Sequence, residues 1–345
     1  MGLERTAERV PLEADSELLL SRPRPLLIYE WKNVAEVWDV VRHAVDRDPS
    51  GSQFLLAGSA TPRAGATAHS GTGRIGRLRM RPMTLEERGV GEPAVSLTHL
   101  LEGGREQLHG QADVGLSRYV EEILASGFPA LRSLSGRARR LQLESYLRNA
   151  VDRDVPEQGL AVRRPDALMA WLRAYAAATS STAGYSQILD AATPGQGDKP
   201  ARSTSDAYRR VLESLWLLDP VPVWELGGSQ FTRLGRSPKH HLADPALAAR
   251  LLGLNEAKLL GTGGGPVGPE GKTVLGSMFE SLATLWIRVA AQAAEADVGH
   301  LRTRNGDHEV DLVVIREDGD VLAIEVKAAG AADDGDAKHL QWLRR

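Results

Sequence analysis

The 345-residue chain is long enough for two or three domains with their own cores, and its apolar (42%) and charged (25%) fractions are those of an ordinary globular protein. Without cysteine it excludes disulfides, thiolate metal sites and cysteine nucleophiles; no window of 18 apolar residues predicts a membrane span and the polar N-terminus is no signal peptide, which together fit a cytoplasmic protein. The net charge of -3 leaves no chain-wide footprint for nucleic acid, so DNA binding has to come from local basic patches.

Residues 1–21 are polar and acidic apart from a short leucine patch at 18–20. The run from Arg24 to Trp31 reads as a buried strand ending in an acid, Glu30, because a short unbroken apolar run suits a parallel strand covered on both faces. Val34, Val37, Trp38, Val41 and Val45 share one face of a helix over 34–45, and a second buried strand over 53–59 ends at Ser59. Strand, helix and strand with polar residues at the carboxyl ends is the α/β arrangement that places ligands at those ends. The glycine-rich stretch Gly71-Thr72-Gly73-Arg74-Ile75-Gly76 lacks an immediately preceding strand and a well-spaced acid, so it does not read as a dinucleotide loop. No Gly-x-x-x-x-Gly-Lys-Ser/Thr follows a strand; Gly271-Lys272-Thr273 has Pro266 in the leading position and lies in a Gly/Pro loop.

Helices are predicted over 112–126, 136–150, 168–178, 185–192 and 205–218, with Glu121-Glu122 and Arg137-Ala138-Arg139-Arg140 read as solvated faces. Val221 to Glu225 and Phe231 to Leu234, around Gly227-Gly228, predict a hairpin, and three helices with a hairpin is the winged-helix plan. The helix that would enter a DNA groove carries Arg209 and Arg210, with Arg202 upstream, so docking of a protein partner competes with DNA reading. His240-His241 has no third ligand nearby in sequence, and 261–272 reads as a linker.

The run from Glu309 to Lys327 predicts two strands joined at Glu317-Asp318-Gly319. Gly319 suits the left-handed position of a three-residue loop. Such a loop pairs Asp311 with Glu325 and puts Lys327 on their side, whereas a two-residue loop would separate them. Two carboxylates facing each other at roughly 4.5–5.5 Å between Cβ atoms repel unless a cation lies between them. A hard divalent metal held by Asp311 and Glu325 is the expectation.

Asp311, thirteen intervening residues and then Glu325-x-Lys327, with Glu280 on a preceding apolar helix, resembles the core motif of the PD-(D/E)XK nuclease-like fold. The segment from about 276 to 327 resembles the C-terminal domain that accompanies many prokaryotic AAA+-type ATPases. The strands ending at Glu30 and Ser59 resemble the Walker B and sensor 1 strands of the same ATPases, and residues 70–85 resemble the stretch that follows. The likeness implies an α/β protein in three parts: a partial P-loop-type parallel sheet with helices over 1–110, a helical, winged-helix-like region over 111–250, and a nuclease-like domain over 251–345. It implies ATP and Mg²⁺ as cofactors, Glu30 as the base for water, Ser59 as its orienting residue, and Arg74 and Arg77 as phosphate contacts or else a basic surface loop. It implies Asp311 and Glu325 as Mg²⁺ ligands, Lys327 as the group that orients or deprotonates water, and Glu280 as completing the shell through water. Relative to that family the chain starts after the P-loop and stops inside a helix, and Tyr29 stands where an Mg²⁺-holding Asp belongs. An ATP-binding family protein unable to hydrolyse ATP is therefore expected. Mg²⁺-dependent DNA cleavage and a non-enzymatic DNA- or protein-binding module are the alternatives.

Overall fold

The computed structural model describes residues 1–58, 73–92, 95–104, 113–193, 201–224, 237–261, 273–303, 306–331 and 333–344. Two compact units result, one of Met1–Met80 with Glu157–Leu160 and Ser214–Trp216, the other of the remaining residues from Arg81 to Arg345.

In the first unit, β1 (Leu26–Tyr29) and β2 (Phe54–Ala57) pair in parallel, Leu26 opposite Phe54, while α1 (Thr6–Ala14) precedes them and α2 (Glu36–Arg47) crosses between them. The period of two sends Leu26, Ile28, Phe54 and Leu56 into one cluster with Trp31, Val37, Trp38 and Val41. On the opposite face Tyr29 is 51% and Leu55 62% exposed, so the strands are covered on one face and not on both, as expected from their unbroken apolar runs. The strand also ends earlier than predicted. Glu30 is left-handed (φ 50°) and Trp31 opens a short 3-10 turn that tucks its indole under the sheet. Residues 1–21, read as polar apart from the leucine patch at 18–20, supply Leu3 and Leu12 as well as Leu19 of that patch to this core. Tyr29 N–H donates to the Met1 carbonyl, which places the N-terminus along the free edge of β1.

The second unit begins with short helices, α3 (Leu97–Leu101), α4 (Leu116–Ala125) and α5 (Pro129–Arg132), then α6 (Gly136–Asn149), which runs through a π turn over Ala150–Asp154 into α7 (Val155–Glu157). The helices α8 (Pro165–Ala177), α9 (Tyr185–Ala192) and α10 (Arg202–Ser214) follow, and Trp171 of α8 donates from its indole to Ser205 of α10 at 2.8 Å. Glu122 does not belong to a solvated face. It is 1% exposed and meets Arg88, Arg118 and Arg132, because α4 turns that side inward, while its neighbour Glu121 stays in solvent. The return arm of the predicted hairpin, Phe231 to Leu234, lies outside the described residues, as do all of 225–236; among the described ones Leu218 pairs with Leu242 and Val221 with Lys239.

The second unit continues with α11 (Pro245–Leu251), α12 (Glu256–Leu260) and α13 (Val274–Ala293), then the antiparallel sheet β3 (Asp297–Arg302), β4 (Glu309–Ile315), β5 (Val321–Ile324), and α14 (Lys338–Leu343). Thr273 caps α13 by accepting from Gly276 N–H at 3.1 Å. By length and composition α13 alone among the described helices passes for a membrane span, at odds with the expectation of none. Here its apolar stripe packs on the sheet with Leu312 and Val314, and Ser277, Glu280, Ser281 and Thr284 are buried along it, as in a core helix.

The β4–β5 turn follows the predicted loop. Ile315 pairs with Val321, Arg316 N–H donates to Asp320 O at 3.0 Å, and Gly319 sits at φ 95° in the three-residue bend. No heavy atom lies within 4 Å of a Cβ built there, so the cost of a side chain is conformational alone. Gly319→Ala is expected to lower the unfolding free energy by about 1 kcal/mol, measured as a shift of the urea midpoint at unchanged slope.

Candidate functional site

Four chain segments converge beside α13. Glu280 lies in the second turn of that helix and is 2% exposed. Glu309 and Asp311 come from β4. Between Gly299 and Leu301 the β3–β4 register shifts by one, so His300 opposes both Asp311 and Leu312. Beyond the shift, Leu312 and Val314 face α13 while Val313 faces α14; before it, Val310 already faces α14. The bulge thus turns Asp311 toward α13 and away from the α14 side it would share with Val313 in a regular strand. The fourth segment is the arm that pairs with Val221, and it delivers Lys239.

Lys239 has zero exposure. Its ammonium lies 2.8 Å from Glu280 Oε1, 2.9 Å from Asp311 Oδ1 and 3.2 Å from Glu309 Oε1. The ammonium donates to Glu280 Oε1, to Asp311 Oδ1 and, at 3.4 Å, to the Asp311 backbone carbonyl, with Glu309 as a third carboxylate in ion-pair range. Burial alone would pull the lysine down, but Glu280, Asp311 and Glu309 outweigh it and hold the group well above its ordinary value. Asp311 Oδ2 accepts from the Val326 N–H at 3.0 Å, and Arg302 lies 3.7 Å from the second oxygen of Glu309.

Continuing the β4–β5 register brings Glu325 opposite Asp311, as the loop length predicts. Glu325 Oε2 lies 3.2 Å from Lys327 Nζ, its side chain is 8% exposed, and its Oε1 is buried with no hydrogen-bond partner. Burial, followed by the neighbouring charge of Asp311, raises Glu325 to about 7, with Lys327 pulling the other way. Lys327 is half in solvent. Among the described residues, no group of three or more His, Asp or Glu side chains is arranged to hold a metal ion.

The chemistry expected at the carboxyl ends of β1 and β2 is placed only in part. Glu30 lies 3.7 Å from Lys32 in its turn, Arg74 is ion-paired with Asp46 at the end of α2, Arg77 is exposed, and Ser59 lies outside the described residues. Arg209, one of the arginines of α10, the helix expected to read a groove, covers the Tyr185 ring at 4.9 Å and lies 3.6 Å from Glu213.

Sequence reasoning assembled Glu280, Asp311, Glu325 and Lys327 but missed Lys239 and gave Glu309 no role. One signal was available: a helix and hairpin bearing four acids and one nearby lysine call for another cation. Which of the chain's lysines and arginines supplies it is invisible without the pairing of 239 with 221.

His300, 1% exposed beside this cluster, is lowered to about 3, first by burial and then by the charge of Lys239. An imidazole near 6.5 in the unfolded chain takes up a proton there before it does in the folded one. Its contribution to stability is therefore complete above pH 6.5 and is lost progressively as pH falls toward 3. His300→Phe is expected to flatten the fall of stability across that window, followed by urea denaturation at stepped pH.

Residues 116–258 match a family model described as a domain of unknown function (DUF8612), and residues 275–345, which hold the acidic cluster apart from Lys239, match another domain of unknown function (DUF4143). No solved structure matches the chain. It is similar to an uncharacterized protein of Mycobacterium tuberculosis (strain ATCC 25618 / H37Rv) and one of Mycobacterium bovis (strain ATCC BAA-935 / AF2122/97), each 26% identical over 307 residues, or 87% of this chain. The chain spans 58% of the length of these curated relatives.

Proposed function

We propose that this chain is part of an AAA+-type ATP-binding protein whose C-terminal region is a nuclease-like scaffold that does not cut DNA. The observation that carries the reading is the Lys239 ammonium lodged between Glu280 and Asp311. The order α13, then antiparallel β3–β4–β5, then α14, with an acid on the helix and Asp311 opposite Glu325, supports the nuclease-like part. The parallel β1–α2–β2 crossover supports the ATPase-like part. Hydrolysis of ATP is not expected from these residues, which include no phosphate loop and no acid at Tyr29.

The donor set does not fit Mg²⁺ as it stands. Asp311 and Glu325 are the hard ligands such an ion would take. One oxygen of Asp311 already accepts from an ammonium and the other from a backbone N–H. A divalent ion at that centre would meet the lysine charge with no water between them. In the helical region, Arg209 is engaged with Tyr185 and Glu213, which favours docking of a protein partner over DNA reading.

A second reading, Mg²⁺-dependent DNA cleavage, is favoured by one observation, the unpartnered Oε1 of Glu325 beside Lys327. Incubation of supercoiled and linear DNA with the purified chain and Mg²⁺ or Mn²⁺ separates the two. The proposal expects no cutting above background; cutting that Asp311→Ala abolishes would reject it in favour of the nuclease.

A further inference from the structure

We propose that Lys239 is the built-in cation of the acidic centre formed by Glu280, Glu309 and Asp311, and that removing its charge turns this centre into a divalent-cation site. The inference rests on the nuclease-like reading for its context and on the geometry of the cluster for its substance.

Paired acids inside a protein need a counter-charge, and a metal ion or an internal ammonium can supply it. Here the ammonium touches an oxygen from α13 and one from β4, the two elements that would otherwise push each other apart. Among the described residues the centre and its rim hold four acids, Glu280, Glu309, Asp311 and Glu325, against Lys239, Arg302 and Lys327. Without Lys239 the excess of negative charge would rise from one to two at full ionisation. At the rim, the Glu325 side chain is 8% exposed, pairs with Lys327 at 3.2 Å and feels the charge of Asp311 directly. Carboxylate oxygens from Glu280, Glu309 and Asp311, the three around the ammonium, are the donors that a hard divalent cation takes, and thiols and free imidazoles are not part of the set.

The test uses Mn²⁺ as the probe and the full chain as the protein, with the free-ion signal followed by electron paramagnetic resonance. The wild type is expected to leave the ion free in the range where Lys239→Met binds one equivalent at least tenfold more tightly. Adding Asp311→Asn to Lys239→Met is expected to abolish that binding. Mn²⁺ binding by the wild type that equals the variant and disappears in Asp311→Asn would overturn the inference. So would a folded Lys239→Met that binds nothing. If Lys239→Met alone loses its fold, far-ultraviolet circular dichroism is expected to show its return with Mn²⁺ but not with Na⁺ at equal ionic strength; no return counts against the inference. Cleavage of DNA is scored separately. A variant that gains the ion while no form cuts DNA leaves both proposals standing, whereas cutting by the wild type removes the functional reading without deciding the ion result.

Discussion

Lys239→Met is expected to be the most damaging single substitution in the second unit, lowering the unfolding free energy at neutral pH by about 3–5 kcal/mol. The reason is the asymmetry between making and breaking a buried ion cluster. The ammonium has zero exposure, and its loss leaves Glu280 and Asp311 charged, buried and close together. Methionine restores most of the volume, so the deficit is electrostatic rather than a cavity. A second substitution, Glu280→Gln, removes one of the stranded charges and is expected to recover part of the loss, a coupling measurable by a double-mutant cycle in urea. Because its neighbours hold Lys239 above the ordinary lysine value, its contribution is complete below the unfolded value of about 10.5 and fades only as pH rises through the folded one. The wild type is therefore not expected to lose this term anywhere in the neutral range.

Glu122→Ala is the second large effect, also expected at about 3–5 kcal/mol. Glu122 is 1% exposed and Arg88 beside it has a side chain with zero exposure, 3.3 Å away; Arg132 approaches to 2.8 Å and Arg118 to 2.7 Å. Burial works to raise this carboxyl, yet Arg132 and Arg88 outweigh it and hold it below its ordinary value. Removing it leaves the buried Arg88 without its hydrogen-bonded carboxylate and with Asp244 as its nearby counter-charge. Glu121→Ala, one position earlier and on the solvent side of the same helix, is expected to leave the thermal midpoint essentially unchanged. Equal losses from the two substitutions would show that the burial of Glu122 carries no energetic consequence.

These two residues show where reading the sequence reaches its limit. Adjacent glutamates at 121 and 122 look alike in one dimension. The rotation of α4 about its axis, set by Val120 and Ile123 in the core, buries one and exposes the other. Lys239 looks like the head of a polar stretch ending in two histidines until Val221 pairs with it and carries it under α13. In the same way, β1 and β2 carry apolar runs suited to burial on both faces, but Tyr29 and Leu55 are exposed because none of the described residues of their own unit packs there.

The sequence by itself determined the elements whose causes are local. The parallel pair β1–β2 around α2 follows from its apolar runs and helical stripe. The extents of α6, α8 and α9 follow from their periodicity, and the β4–β5 register follows from Gly319, because a glycine that accepts positive φ fixes the loop length and so the residue opposite Asp311. Tertiary structure alone decided which cation neutralises the acids. That choice depends on a bulge opposite His300 and on the approach of a segment 72 residues before Asp311, and a pairing at such separation leaves no periodic trace in either stretch of chain.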